Sequence, residues 1–225
     1  MKLALINLLI ICCFLTACAE DDTTSPNNTQ SGSSNPIDDS SNPSKGELKL
    51  LFIGNSLTYT NNLPQLVEKL GEDDDYNLVT SMIAEPNYAL EDHINDGEIQ
   101  GLIETQEFDF VIIQQGPSSQ AYGRESLISF GGQIKEMCDN GGAQLIYFMV
   151  WPAITYYYTF DGVIANYTNA ATINNALLAP VGKVWKKHFD LTNDFSYYGP
   201  DSFHPSVKGS EKAAEIIWKT IMENN

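Results

Sequence analysis

The sequence predicts an α/β protein, a three-layer α/β/α sandwich on a parallel sheet of about five strands. Three observations carry this. Short apolar runs alternate with longer stretches of helical periodicity from residue 48 to residue 222. The runs at 48–53 and 108–113 are rich in Leu, Ile, Val and Phe on both faces, as in strands covered on both sides. Turn-forming clusters such as Asp139-Asn-Gly-Gly142 then separate helix from strand.

Taken in order, the first strand is 48–53, which stops at Gly54-Asn55-Ser56, and a helical pattern opens near Pro64 and runs over 63–71. A second strand at 77–82 leads to a helix over 90–105, and a third at 108–113 to a helix over 126–140. The fourth strand, 144–149, precedes a helix at 164–175. A weaker strand at 177–181 is followed by helices at 181–189 and 207–222. Right-handed crossovers applied to this order give a flavodoxin-like arrangement. No internal repeat interrupts it. The irregular connections 84–89, 114–123 and 151–162 all follow strands, so they gather at the sheet edge that carries Ser56, and 194–205 arrives at the same rim.

The first 46 residues stand apart from this pattern. Lys2 precedes an apolar stretch at 3–14 that is too short to span a bilayer. Leu15-Thr-Ala-Cys18 then resembles the lipobox of bacterial lipoproteins. That resemblance implies a signal peptide at 1–17 and a lipid anchor on Cys18, placing the chain on the cell envelope, facing the periplasm or the cell surface. Residues 18–46 are rich in Ser, Asn, Thr, Pro and Asp, and read as a disordered tether. Glu20-Asp21-Asp22 resembles a signal for the outer face of some Gram-negative envelopes; linker solubility accounts for it equally well. The domain then spans 47–225. Cys12 and Cys13 leave with the signal, so Cys138 is the only thiol of the folded part and reads as a small buried hydrophobe.

The chain holds 12 Lys and Arg against 29 Asp and Glu, a net charge of −17. Without residues 1–46, which carry two lysines and five carboxylates, the balance is 10 against 24. A surface of this sign repels phosphate backbones, which excludes nucleic acid as a partner and leaves the lipid as the only tie to a membrane. Neutral or cationic substrates suit it. The sequence implies no cofactor: there is no glycine-rich phosphate loop and no spaced set of metal ligands, and Asp73-Asp-Asp75 reads as a solvated turn. It leaves the oligomeric state open.

Ser56, at the end of the first strand, becomes a nucleophile only if a base can take its proton. Asp201-Ser-Phe-His204 offers that base and a carboxylate to orient it, three residues apart so that one short turn presents both. His93 lies in a helical pattern and reads as a rim or packing residue, and His188, at a helix end, as surface.

These segments resemble one family, the SGNH or GDSL-like hydrolases. The likeness rests on Ile53-Gly-Asn-Ser-Leu-Thr-Tyr-Thr60, Pro86-Asn-Tyr-Ala-Leu-Glu-Asp-His93, Gln114-Gln-Gly-Pro-Ser-Ser119, Met149-Val-Trp-Pro152 and Tyr198-Gly-Pro-Asp-Ser-Phe-His-Pro205. It implies a Ser56–His204–Asp201 triad. It also implies an oxyanion hole built from the Ser56 N–H, a glycine N–H of the second block and an asparagine amide of the third. The chain departs from the family at both of the latter. The second block has no glycine and Pro86 has no N–H, which leaves Asn87; Gln114-Gln115-Gly116 replaces the asparagine block, and strand alternation favours Gln115. Asn55 stands where the family has Asp. Gln114, Trp151 and Tyr198 are expected as substrate contacts. Trp151-Pro152 with Tyr156-Tyr-Tyr158 reads either as a sugar-stacking or acyl-pocket wall or as loop packing.

The expected activity is hydrolysis of small carboxylic esters, with acetyl esters on glycans foremost, through an acyl-serine. Two alternatives stay open: a lysophospholipid, lipid-ester or thioester hydrolase, and a non-catalytic glycan-binding lipoprotein on a degenerate hydrolase scaffold.

Overall fold

The structure, a computed structural model, describes residues 46–225. The expected signal peptide, Cys18 and nearly all of the tether lie outside the described residues. Among the described residues five strands form one parallel sheet: β1 (Glu47–Gly54), β2 (Asn77–Ala84), β3 (Phe110–Ile113), β4 (Gln144–Phe148) and β5 (Leu177–Ala179). Their order is β2-β1-β3-β4-β5, with Leu50 opposite Phe110 and Gly54 opposite Ala84. This is the flavodoxin-like order that right-handed crossovers predict.

Among the described residues eight α-helices flank the sheet: α1 (Ser56–Tyr59), α2 (Leu63–Asp73), α3 (Leu90–Asp96), α4 (Glu98–Thr105), α5 (Ala121–Gly141), α6 (Phe160–Ile173), α7 (Val181–Thr192) and α8 (Val207–Met222). α2 packs beside α8, whereas α4, α5 and α6 pack in sequence against one another. Burial follows from this layering. Leu50 to Ile53 and Phe110 to Ile113 are essentially inaccessible, and each such side chain contributes about 1.5–3 kcal/mol as an upper figure. β2 is an edge strand, which is why Val79 and Met82 stay exposed.

Three departures from expectation are the largest. The helix expected over 90–105 is broken, because Gly97 sits at φ +75 and its N–H closes α3 onto Ile94. Apolar periodicity continues through the break and conceals it. α5 and α6 begin four to five residues early, inside segments whose composition reads as loop. The first turn of α5 is held by tertiary bonds, Gln115 Nε2 to the Gly123 carbonyl (3.4 Å) and Arg124 to Asn169 Oδ1 (2.7 Å), and α6 opens on the buried Phe160. Because all five strands run the same way, the loops after β1 to β4 and the loop before α8 converge on one rim.

Candidate active site

Ser56 follows β1 as the first residue of α1, with Asn55 as the helix N-cap. Gly54 allows the tight approach this needs: a Cβ there would fall 2.3 Å from Gln114 Oε1 and 2.4 Å from Thr58 Oγ1. Gln114 Oε1 instead accepts from the Asn55 N–H (3.0 Å) and from the Thr58 hydroxyl (2.8 Å). Gln114 Nε2 donates to Asn55 Oδ1 (2.9 Å), which also caps the Leu57 N–H (3.1 Å). The remaining Asn55 donor, Nδ2, reaches the Tyr88 carbonyl (2.9 Å). Below this clasp, His93 Nε2–H donates to the Gly54 carbonyl (2.8 Å). Burial pushes the His93 imidazole below its ordinary value, against smaller opposing contributions from the Gly54 carbonyl and from Asp92, Asp96 and Glu85.

Asp201 and His204 are joined by a single turn. Asp201 Oδ1 accepts from the N–H groups of Phe203 (3.0 Å) and His204 (2.9 Å), with Ser202 between them at φ +63. Asp201 Oδ2 is left for His204 Nδ1–H, 2.5 Å away. That bond foremost, helped by the two backbone donors, holds the Asp201 carboxyl below the usual carboxylate range. With Nδ1 protonated, His204 Nε2 is an acceptor, and it lies 2.9 Å from Ser56 Oγ. The three side chains form a continuous relay, Ser56 to His204 to Asp201. A further side chain ties its two halves: Asn61, at φ +57, donates through Nδ2 to the Pro205 carbonyl (3.1 Å) and to Ser210 Oγ (2.9 Å).

Ser56 opens into a cleft of about 450 Å³ bordered by Asn87, Tyr88, Glu91, Gln115, Tyr122 and Phe203. The Ser56 N–H is among the first of α1, which have no intrahelical acceptor. Glu85-Pro86-Asn87-Tyr88 is a turn with Pro at its second position and positive φ (+65) at its third. Its own bond runs from the Tyr88 N–H to the Glu85 carbonyl (3.3 Å), outside the Asn87 N–H. Asn87 thus occupies a conformation that glycine commonly supplies, and faces the cleft. Among the described residues no cluster of His, Cys, Asp and Glu could hold a metal ion.

No family model and no curated protein matches the chain. Solved structures do. A protein assigned to the SGNH hydrolases, from Slackia heliotrinireducens, superposes at TM-score 0.67 with 22% identity, covering 78% of this chain and 99% of the other. A DUF4886 family protein from Bacteroides uniformis gives 0.65, 18%, 80% and 84%. An acetylxylan esterase from Geobacillus stearothermophilus, solved as a catalytic mutant, gives 0.56, 16%, 77% and 94%. The fold is that of the SGNH hydrolases. On this SGNH fold the relay lies at the carboxyl ends of the central strands.

Ser56, His204 and Asp201 come together as expected, and Asn87 borders the same cleft. Four other expectations need correction. Gln115 lines the cleft, but its amide N–H groups are engaged by Ser118 Oγ (2.8 Å) and the Gly123 carbonyl (3.4 Å), so it braces the loop rather than presenting a free donor. Gln114 is buried in the clasp around Asn55 and meets no substrate. Trp151 is buried, stacked on Trp185 (3.6 Å between ring centres), and donates through Nε1 to the Phe203 carbonyl (3.0 Å). Tyr198 is likewise buried, with its hydroxyl on the Pro152 carbonyl (2.7 Å) and its pKa raised by burial. The last two stand behind the base turn and support it.

The tyrosine run divides. Tyr157 is packing: it meets Phe160 and Phe195 edge-on and donates to Asp190. Tyr156 and Tyr158 face outward. Of the other histidines, His93 is a packing residue as expected. His188 is half-buried, stacked on Tyr197 and bonded to Asp194 (3.3 Å). Cys138 is buried, which pushes its thiol up to about 12 and leaves it inert. Sequence reasoning missed Asn61 and Tyr167. Tyr167 is buried and donates to the Gln115 carbonyl (2.5 Å), fixing the loop after β3. Neither residue carries a signal beyond its type.

Proposed function

We propose that the protein is a serine esterase acting on small carboxylic esters, acetyl esters of carbohydrates foremost. The observation that carries this reading is the unbroken relay of 2.9 and 2.5 Å from Ser56 Oγ through His204 to Asp201, opening into a cleft. Ser56 Oγ attacks the ester carbonyl while His204 Nε2 takes its proton. The resulting oxyanion lies toward the Ser56 and Asn87 N–H groups. Collapse breaks the bond between acyl carbon and alcohol oxygen, and His204 returns the proton to the departing alkoxide. Water, deprotonated by the same imidazole, then releases the acid and restores Ser56. Asp201 keeps Nδ1 protonated throughout and stabilises the imidazolium.

The acetyl preference is supported by the acidic surface that disfavours anionic substrates and by the likeness to a fold that includes an acetylxylan esterase. Turnover of p-nitrophenyl acetate by the wild-type chain tests the reading against Ser56→Ala and His204→Ala. Each variant is expected to lose about 10³-fold or more in kcat; equal turnover in all three would end it.

A further inference from the structure

A second cleft of about 470 Å³ adjoins the first. The two share Pro117, Ser119, Gln120 and Phe203 on their borders. Its far wall is formed by Tyr156 and Tyr158, which are 58% and 79% exposed and lie edge to face with ring centres 6.4 Å apart. No charged side chain lines it.

Resting on the esterase reading, the geometry points to this second cleft as the subsite for the alcohol half of the ester, built for a neutral sugar ring. The direction follows from the relay. The leaving oxygen must lie beside His204 Nε2, which returns its proton, whereas the oxyanion turns toward Ser56 and Asn87. Phe203 precedes His204, packs edge-on against its ring at 5.1 Å and borders both clefts. The alcohol therefore leaves past Phe203 into the second cleft.

The chemistry of the walls selects the ring. Two exposed phenol faces suit the apolar C–H face of a pyranose, and hydroxyls and an amide from Ser119, Gln120 and Thr159 suit its rim. The absence of charge in the lining fits a neutral alcohol. The platform is also held in fixed register with the base. The Ile154 N–H donates to the Ser202 carbonyl (3.0 Å), Trp151 Nε1–H to the Phe203 carbonyl, and the Tyr198 hydroxyl to the Pro152 carbonyl. The main chain that carries the two rings is thereby fixed before substrate arrives, which lowers the ordering cost of binding.

The experiment compares two acetyl esters on the full chain, ethyl acetate and acetylated xylo-oligosaccharides, in wild type and in Tyr156→Ala/Tyr158→Ala. The ratio of kcat/KM for the oligosaccharide to that for ethyl acetate is expected to fall about tenfold, chiefly through KM, and the Tyr→Phe pair to restore it because the rings remain. An unchanged ratio overturns the subsite. So does a ratio that moves instead with acyl length across p-nitrophenyl acetate and octanoate, which would make the cleft an acyl pocket. Calorimetric binding of unacetylated xylo-oligosaccharide to the Ser56→Ala chain separates this result from the esterase reading. Tyrosine-dependent binding there supports the subsite even where turnover fails, and binding indifferent to both tyrosines overturns it.

Discussion

The two halves of the relay are held in opposite ways. Around Ser56 the supporting groups are buried, neutral and distant in sequence: Asn55, Thr58 and Gln114 expose 6%, 1% and 1% of their surface, and Gln114 lies nearly sixty residues away. Asp201 and His204 lie within four consecutive residues, a carboxylate and an imidazole half open to water, with side chains 51% and 36% exposed. Position at Ser56 is thus a product of packing, whereas Asp201 and His204 are set against each other by one turn that Trp151 and the Ile154 N–H hold from behind. Damage around Ser56 acts through geometry and stability together, and damage to the Asp201 carboxylate chiefly through chemistry.

Asp201→Asn gives the largest expected effect and probes the base turn. An amide keeps one oxygen for the Phe203 and His204 N–H groups, so the turn holds, but it loses the carboxylate that selects the Nδ1–H tautomer. A drop in kcat of about 10⁴-fold is expected, with only a small fall in melting temperature because the carboxylate is half open to water. A fall in melting temperature of several degrees would mean that the turn, too, depends on packing.

Asn55→Asp probes the clasp and ranks second. Asn55 Nδ2 donates to the Tyr88 carbonyl, a bond that a carboxylate replaces with repulsion. The family's own residue is therefore expected to be harmful here, destabilising by about 1–3 kcal/mol at pH 8 and lowering kcat with it. Activity relative to wild type should recover as pH falls and the buried carboxyl takes up a proton it can donate. Wild-type stability at pH 8, measured by urea unfolding, would show that the amide is dispensable.

His93→Gln has the smallest expected effect. The folded chain lowers the His93 pKa, so as pH falls through the unfolded value of about 6.5 the unfolded state takes up a proton first. Stability from neutral His93 is complete above that value and is lost below it. Glutamine can keep the bond to Gly54 without titrating. Between pH 7.5 and 5.5 the wild type should lose more melting temperature than the variant, with Asp92, Asp96 and Glu85 softening the difference; parallel curves would count against it.

Much of the fold is legible in the sequence because strand and helix periodicities agree with the tertiary environment. β1 and α8 lie where the pattern puts them, and α8 has the expected bounds. The Ser56, Asp201 and His204 assignments are legible because each sits in a distinctive local block. Alternation also sorts Gln114 inward and Gln115 toward the cleft, but it does not reveal that the Gln115 amide is already bonded. Trp151 and Tyr198 mislead for a related reason. An aromatic ring beside a reactive block reads the same whether it faces substrate or stands behind the turn, and long-range packing alone decides. Asn61 escapes notice because its partners, Pro205 and Ser210, are brought close by the fold.

The strap from Pro152 to Thr159 is moored through its main-chain N–H at Ile154 to the Asp201–His204 turn and through its carbonyl at Pro152 to the Tyr198 hydroxyl. The side chains at its tip take no part in that mooring. The tip can therefore drift through many residue types under selection while the hydrolytic machinery stays in register. Closely related chains that share this strap should differ first in what they grip, and only much later in what they cut.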